Sequence, residues 1–187
     1  MNILFLDFDG VINTPIGIDE NGNIIDDYNS VKDGKVNNYV AVKLIERLCR
    51  EFDLRAVVES RGWRNYMETN PDGTIRYRPY KKYLENSGFD SSLVEGHVPF
   101  ISDKGKGHEI DEYLKCHQVD KFIVIDDNDN CVGNSIVSDP SLLRFKNELI
   151  VCDGDRGFTE REYKKAQEIL RKERTYVVEK FGEELEI

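Results

Sequence analysis

The chain predicts an α/β fold built on a central, mostly parallel sheet. Three observations predict it: short apolar runs that stop at turn or acidic residues, helical periodicities between those runs, and carboxylate clusters at two run ends. Ile3 to Leu6 is the first run, ending in the first cluster, Asp7 and Asp9, with Gly10 directly behind. Residues at i and i+2 of a strand share a face, so the two carboxylates are expected to converge at its end. In an α/β sheet that end is where ligands bind. A strand running into an acidic turn is the plainer alternative, and a second cluster decides against it.

After this strand, Ile16 to Ile25 alternates around Glu20-Asn21-Gly22-Asn23. Asn-Gly is a two-residue hairpin signal, so a small β-flap is expected. Residues 26–36 are polar and read as loop. A helix follows, with Asn37 or Asn38 as cap and Val40, Leu44, Ile45, Leu48, Cys49 and Phe52 on one face. Leu54 to Val58 is the next apolar run, ending at Glu59-Ser60-Arg61-Gly62. Pro71-Asp72-Gly73 marks a turn, and a helix near Tyr80 to Asn86 stops at Gly88. A strand covers Leu93 to Val98, and Lys106-Gly107 precedes a helix with Ile110, Tyr113 and Leu114 inward. Phe122 to Ile125 stops at Asp126 and Asp127, the second cluster. Glu148 to Cys152 gives another strand. Thr159-Glu160-Arg161-Glu162 is a capping box opening the last helix, with Tyr163, Ala166, Ile169 and Leu170 inward. With no internal repeat or linker, residues 1–187 read as one domain.

Composition narrows the classes. With 39% apolar and 33% charged residues the chain is an ordinary globular protein rather than a disordered one. No apolar run reaches the length of a membrane span, and Asp7 and Asp9 come too early for a signal peptide. A cytoplasmic protein with no membrane partner is expected. Cys49, Cys116, Cys131 and Cys152 form no CxxC pair and no zinc spacing, so reduced thiols are expected. His108-Glu109 begins an HExxH pattern, but Glu112 stands where the second histidine belongs.

The net charge of −10 opposes broad electrostatic capture of nucleic acid. One island runs the other way: Arg61, Arg64, Arg76, Arg78, Lys81 and Lys82, interleaved with Trp63, Tyr66, Tyr77, Tyr80 and Tyr83. Two readings of it stand: phosphate contact with base stacking, or a solvated surface over ordinary core aromatics.

Two strands ending in acids suit a hard divalent cation, because Mg2+ takes oxygen ligands and often only one or two carboxylates. An EF-hand loop is excluded. Counting from Asp126, the sixth position is Cys131 rather than Gly and the twelfth is Val137 rather than Glu; counting from Asp153, the twelfth is Lys164.

Asp7-Phe8-Asp9-Gly10-Val11, Ser60, Lys106 and Asp126-Asp127 occur in the order of four motifs. In them the chain resembles the haloacid dehalogenase (HAD) superfamily of phosphohydrolases over nearly its whole length. The first and last motifs are the specific ones; the serine and lysine gain meaning from order and spacing. The resemblance implies a three-layer Rossmann-like (HAD-like) fold with the small β-flap and no large cap domain. It further implies that Asp7 is the nucleophile and Asp9 the general acid and base. Mg2+ would bridge Asp7, the backbone carbonyl of Asp9 and Asp127, with Asp126 beside them; the two neighbours could exchange roles. Ser60 would donate to the phosphoryl group and Lys106 would neutralise it, with Arg61 and Arg64 adding contacts. Lys104 competes with Lys106. Lys-Gly at a helix start would aim the Lys106 amine at the anion-binding end of that helix. Glu59 departs from the apolar residue usual before the serine.

Only residues 61–105 separate Ser60 from Lys106, which is small for a cap. An open site suits a phosphate at the end of a large molecule, and the stretches around Ser60, Lys106 and Asp126 look similar to small uncapped HAD domains of nucleic-acid repair. The expected function is therefore a Mg2+-dependent phosphomonoester hydrolase, its partner a nucleotide or polynucleotide terminal phosphate. A HAD phosphatase of a small phosphometabolite and a non-catalytic HAD-like phosphate-binding module are the alternatives. A phospho-receiver domain would carry its acid pair and phosphoacceptor in the reverse order.

Overall fold

The computed structural model describes residues 1–25, 36–64, 67–69, 75–77, 80–127 and 139–172; of residues 64, 67–69 and 75–77 it describes the backbone. Strand β1 (Asn2–Leu6) leads through a flap, β2 (Gly17–Ile18) and β3 (Ile24–Ile25), to helix α1 (Tyr39–Phe52) and strand β4 (Leu54–Val58). Next come the short helix α2 (Arg61–Arg64), the hairpin β5 (Met67–Thr69) and β6 (Ile75–Tyr77), helix α3 (Tyr80–Asn86) and strand β7 (Val94–His97). Helix α4 (Lys106–Cys116), strand β8 (Lys121–Asp126), a 3-10 turn at Pro140–Phe145, strand β9 (Leu149–Val151) and helix α5 (Glu160–Arg171) complete the order. The expected turn at Pro71-Asp72-Gly73, Cys131 and the tail beyond Lys172 lie outside the described residues.

The five long-range strands form one parallel sheet in the order β7-β4-β1-β8-β9. Because the sheet is covered on both faces, β1 and β8 read as continuous apolar runs rather than alternating ones. Leu4, Leu6, Ala56, Val58, Ile123 and Ile125 pack toward α1 and α5. Ile3, Phe5, Val57, Phe122 and Val124 pack toward α4 and the 3-10 turn. The chain leaves β1 over one face and returns to β8 over the other, so β1 and β8 flank the switch point. The crevice at their carboxyl ends is where such sheets bind ligands.

Local chemistry sets the element ends. Asn38 caps α1 by accepting from the Ala41 amide, and Thr159 with Glu162 makes a complete capping box on α5. The flap turn is larger than the expected two-residue Asn-Gly turn: the Asp19 amide donates to the Asn23 carbonyl at 2.9 Å, and the Gly22 amide to the Asp19 carbonyl at 3.0 Å. The Asp19 carboxylate accepts from the amides of Asn21 and Asn23 and stabilises this three-residue loop. Among the described residues there is no large cap, and no helix is long and apolar enough to cross a membrane.

Candidate active site

Hydrogen bonding continues one residue past the named strands and aligns three acids. The Asp7 amide donates to Ile125, and the Glu59 amide to Leu6, both at 3.0 Å. Leu6 is in register with Val58 and Ile125, so Asp7, Glu59 and Asp126 occupy one row across β4, β1 and β8. The alternation that sends Phe5, Val57 and Val124 toward α4 sends these three the same way. Lys106, the first residue of α4, closes over the row. Its Nζ lies 2.6 Å from Asp7 Oδ2, 2.6 Å from Asp126 Oδ2 and 3.5 Å from a Glu59 oxygen.

Three buried acids thus share one ammonium. Burial pushes the Asp7 carboxyl up; Lys106 pulls it back, and Asp126 adds to the rise. Burial likewise pushes Glu59 well above the usual carboxylate range, against the pull of Lys106 and with help from Asp126 and Asp7. Burial disfavours the Lys106 ammonium, but Glu59, Asp7 and Asp126 outweigh it and hold that group well above an ordinary lysine. Lys106 therefore stays charged.

Asp127 stands beside the row. Burial and the charges of Asp7 and Asp126 push its carboxyl up to about 6. A Cβ on Gly10 would lie 2.0 Å from Asp127 Oδ2, and Gly10 also sits at φ +73°, so both backbone and space require glycine here. Asp7, Asp126 and Asp127 each offer a carboxylate oxygen, all within 4.8 Å of one another. An all-oxygen donor set under mutual repulsion fits a hard divalent cation. Ser60 is buried and donates to Asp7 through its hydroxyl.

Asp9 does not join that carboxylate group. The chain turns sharply after Phe8, whose carbonyl accepts from the amides of Val11, Ile12 and Asn13. This carries the Asp9 side chain away to Asn13 and Trp63. The α5 end of the chain supports the turn: the Phe158 amide donates to the Val11 carbonyl at 2.9 Å, and Asn38 Nδ2 to the Arg156 carbonyl at 3.1 Å.

The end of α4 differs from the sequence expectation. Its first amides are already taken: the Lys106 amide donates to Asp139, and the Gly107 amide to Ser141 Oγ at 2.8 Å. Lys106, not Lys104, reaches the row, but because α4 starts over it rather than because a vacant helix end gathers anions. Arg61 lies on the approach to this helix. Its guanidinium donates to Glu109 at 2.9 Å and to the Lys104 carbonyl, and Glu109, 0% exposed, also accepts from the Ile101 amide at 3.1 Å. Arg61 thereby fastens the segment before Lys106.

Trp63 and Tyr83 of the basic-aromatic island are core residues, and Lys81 and Lys82 are exposed. The side chains of Arg64, Tyr66, Arg76, Tyr77 and Arg78 lie outside the described residues. Sequence reasoning missed the contacts of Trp63, Arg61-Glu109 and Asp139-Ser141. For the last, the Asp-Pro-Ser run at 139–141 is a cap signal that could have found it.

A parallel sheet with an acid row at its switch point, a lysine over it and a further acid beside it defines a HAD-type α/β domain. The chain belongs to the family described as the HAD domain in Swiss Army Knife RNA repair proteins, which it matches over residues 3–163. Comparison with curated proteins and with solved structures finds no match.

Proposed function

We propose that this single domain is a Mg2+-dependent phosphomonoester hydrolase that works through a phosphorylated Asp7 and acts on the terminal phosphate of a nucleotide or polynucleotide. The observation that carries the reading is the ammonium of Lys106 held 2.6 Å from both Asp7 and Asp126 at the sheet's switch point. The RNA repair context of the family and the lack of a large cap among the described residues support a phosphate at the end of a long molecule.

Asp7, Asp126 and Asp127 would hold the cation, with the Asp9 carbonyl as a further donor and Asp126 turned mainly to Lys106. Bound there, Mg2+ supplies positive charge that offsets repulsion between carboxylates and phosphate. In the first step an Asp7 oxygen bonds to phosphorus and the ester P–O bond breaks. The departing oxygen takes its proton from Asp9. In the second, Asp9 accepts a proton from water as that water's oxygen bonds to phosphorus, and the bond from phosphorus to Asp7 breaks. With phosphate bound, the Ser60 hydroxyl would turn from Asp7 to donate to one phosphoryl oxygen, and Lys106 would balance the phosphoryl charge. Arg64, and the edge of Arg61 not used by Glu109, would add phosphate contacts.

The test is phosphate release from an aryl phosphate with and without Mg2+, with Asp7→Asn as control. Turnover absent, or retained by the variant, would overturn the enzyme reading in favour of a phosphate-binding module. Mononucleotides, small phosphometabolites and 3′- and 5′-phosphorylated oligonucleotides then compare substrates; preference for the metabolites would overturn the nucleic-acid half.

A further inference from the structure

Asp9 accepts two hydrogen bonds on one oxygen. Its Oδ1 takes Nδ2 of Asn13 at 2.9 Å and Nε1 of Trp63 at 3.0 Å. No described side chain bonds Oδ2, and Asp9 is exposed. The Trp63 ring is fixed from both sides. It is 7% exposed, 5.1 Å from Phe8 and 4.8 Å edge-on from Tyr83. An indole caged in this way keeps its N–H on target without losing further side-chain freedom. Trp63 also lies in α2 just after Ser60, so one short segment supplies the Asp7 hydroxyl partner and the Asp9 indole partner.

We propose that Trp63 is a positioning residue for Asp9, its indole N–H fixing which carboxylate oxygen exchanges the proton with the ester and water oxygens. The proposal rests on the reading of Asp9 as acid and base of a phosphomonoesterase. With Oδ1 filled by two donors, Oδ2 is the oxygen left to exchange a proton. That proton passes to the departing ester oxygen as its bond to phosphorus breaks, and Oδ2 later receives one from the attacking water. Without the indole donor the carboxylate turns about its last bond and presents the proton in the useful direction only part of the time.

Leaving-group chemistry separates this role from packing. A nitrophenolate departs without a proton, whereas a ribose alkoxide needs one. General acid catalysis is typically worth roughly 10²–10⁴-fold, and a hydrogen bond to a charged group about tenfold or more. The experiment measures kcat and KM of the full chain with Mg2+ on p-nitrophenyl phosphate and on a nucleoside monophosphate. Trp63→Phe, which keeps an aromatic ring and removes the N–H, should lower kcat/KM, which reports only the step in which the ester oxygen departs, about tenfold more on the nucleotide than on the aryl ester. Asp9→Ala should show a larger loss of the same selectivity, and adding Trp63→Phe to it should add no further selective loss.

Equal losses of kcat/KM by Trp63→Phe on both substrates would mean a packing role and overturn the proposal, leaving the phosphatase reading intact. A wild-type chain inactive on both would overturn the two together. A second readout needs no turnover: Trp63 is the only tryptophan in the chain. Asp9→Ala should move its emission maximum, because it removes the oxygen that accepts from the indole nitrogen; unchanged emission would overturn the contact itself.

Discussion

Replacing Lys106 by Met keeps the length of the side chain and removes the ammonium bonded to Asp7 and Asp126. Three acids would then face one another, with Glu59 0%, Asp126 2% and Asp7 5% exposed. Deleting one partner of a buried ion pair typically costs about 3–5 kcal/mol, because the remaining charge is uncompensated. Here the acids can escape part of that cost by holding protons. Lys106 lowers both Asp7 and Glu59, so its loss lets burial raise them further. An acid whose native pKa lies above its unfolded value keeps a proton that the unfolded chain gives up. Its stability contribution therefore falls as pH rises from the unfolded value through the native one. The expected loss for Lys106→Met is about 3–5 kcal/mol near neutral pH and much smaller near the unfolded carboxyl values, about 4. Urea unfolding at a series of pH values, followed by circular dichroism, reads this directly. Mg2+ at neutral pH should recover part of the loss, since it binds the native row and not the unfolded chain. A loss independent of pH would refute the reasoning, and so would one below about 1 kcal/mol at neutral pH.

In the metal-free protein Asp127, raised from 3.8 to about 6, should weaken the fold as pH climbs through that interval. The full shift corresponds to about 3 kcal/mol and, with solvent screening, to about half of it, so Asp127→Asn should flatten the pH dependence of urea midpoints; an unchanged slope would rule this out. Gly107→Ala puts a Cβ 2.2 Å from the Ser141 carbonyl oxygen and should cost about 1–3 kcal/mol in calorimetry. The stabilisation normal for Gly→Ala in an open helix would contradict that packing. Arg61→Met leaves Glu109 buried without its guanidinium and should cost about 3–5 kcal/mol, with Arg61→Lys recovering only part. Unchanged stability with raised KM would instead make Arg61 a phosphate contact.

The sheet and the acids were legible because each clue lies within one short stretch. An apolar run followed by Asp7, or by Asp126 and Asp127, reports strand, burial and charge together. Capping boxes and helical stripes are local in the same way, which is why Thr159 and the α1 face were found. The missed contacts join distant positions. Glu109 reads as a solvated helix residue until Arg61 folds against it, and Asp139 caps a helix that begins at Lys106. Trp63 carried no local sign of its partner, since an indole suits a core, a stacking platform or a hydrogen bond equally well. Glu59 stood out as a charge at a strand end. Its purpose follows only from the neighbouring strands, which put it level with Asp7 and Asp126.

That level row has a further consequence for how β4 finds its place. A sheet apolar on both faces specifies strand alignment weakly, since Ala56 and Val58 could trade sides with Val57 at little cost. A slip of one residue, however, would carry Glu59 away from the ammonium. The ion contacts therefore act as an index mark, penalising the odd-numbered misalignments that the hydrophobic residues would accept. Shortening Leu54–Val58 by one residue should thus harm the protein more than replacing any one of its apolar side chains by another. Parity along the strand, more than the identity of its core, keeps the glutamate on its proper side.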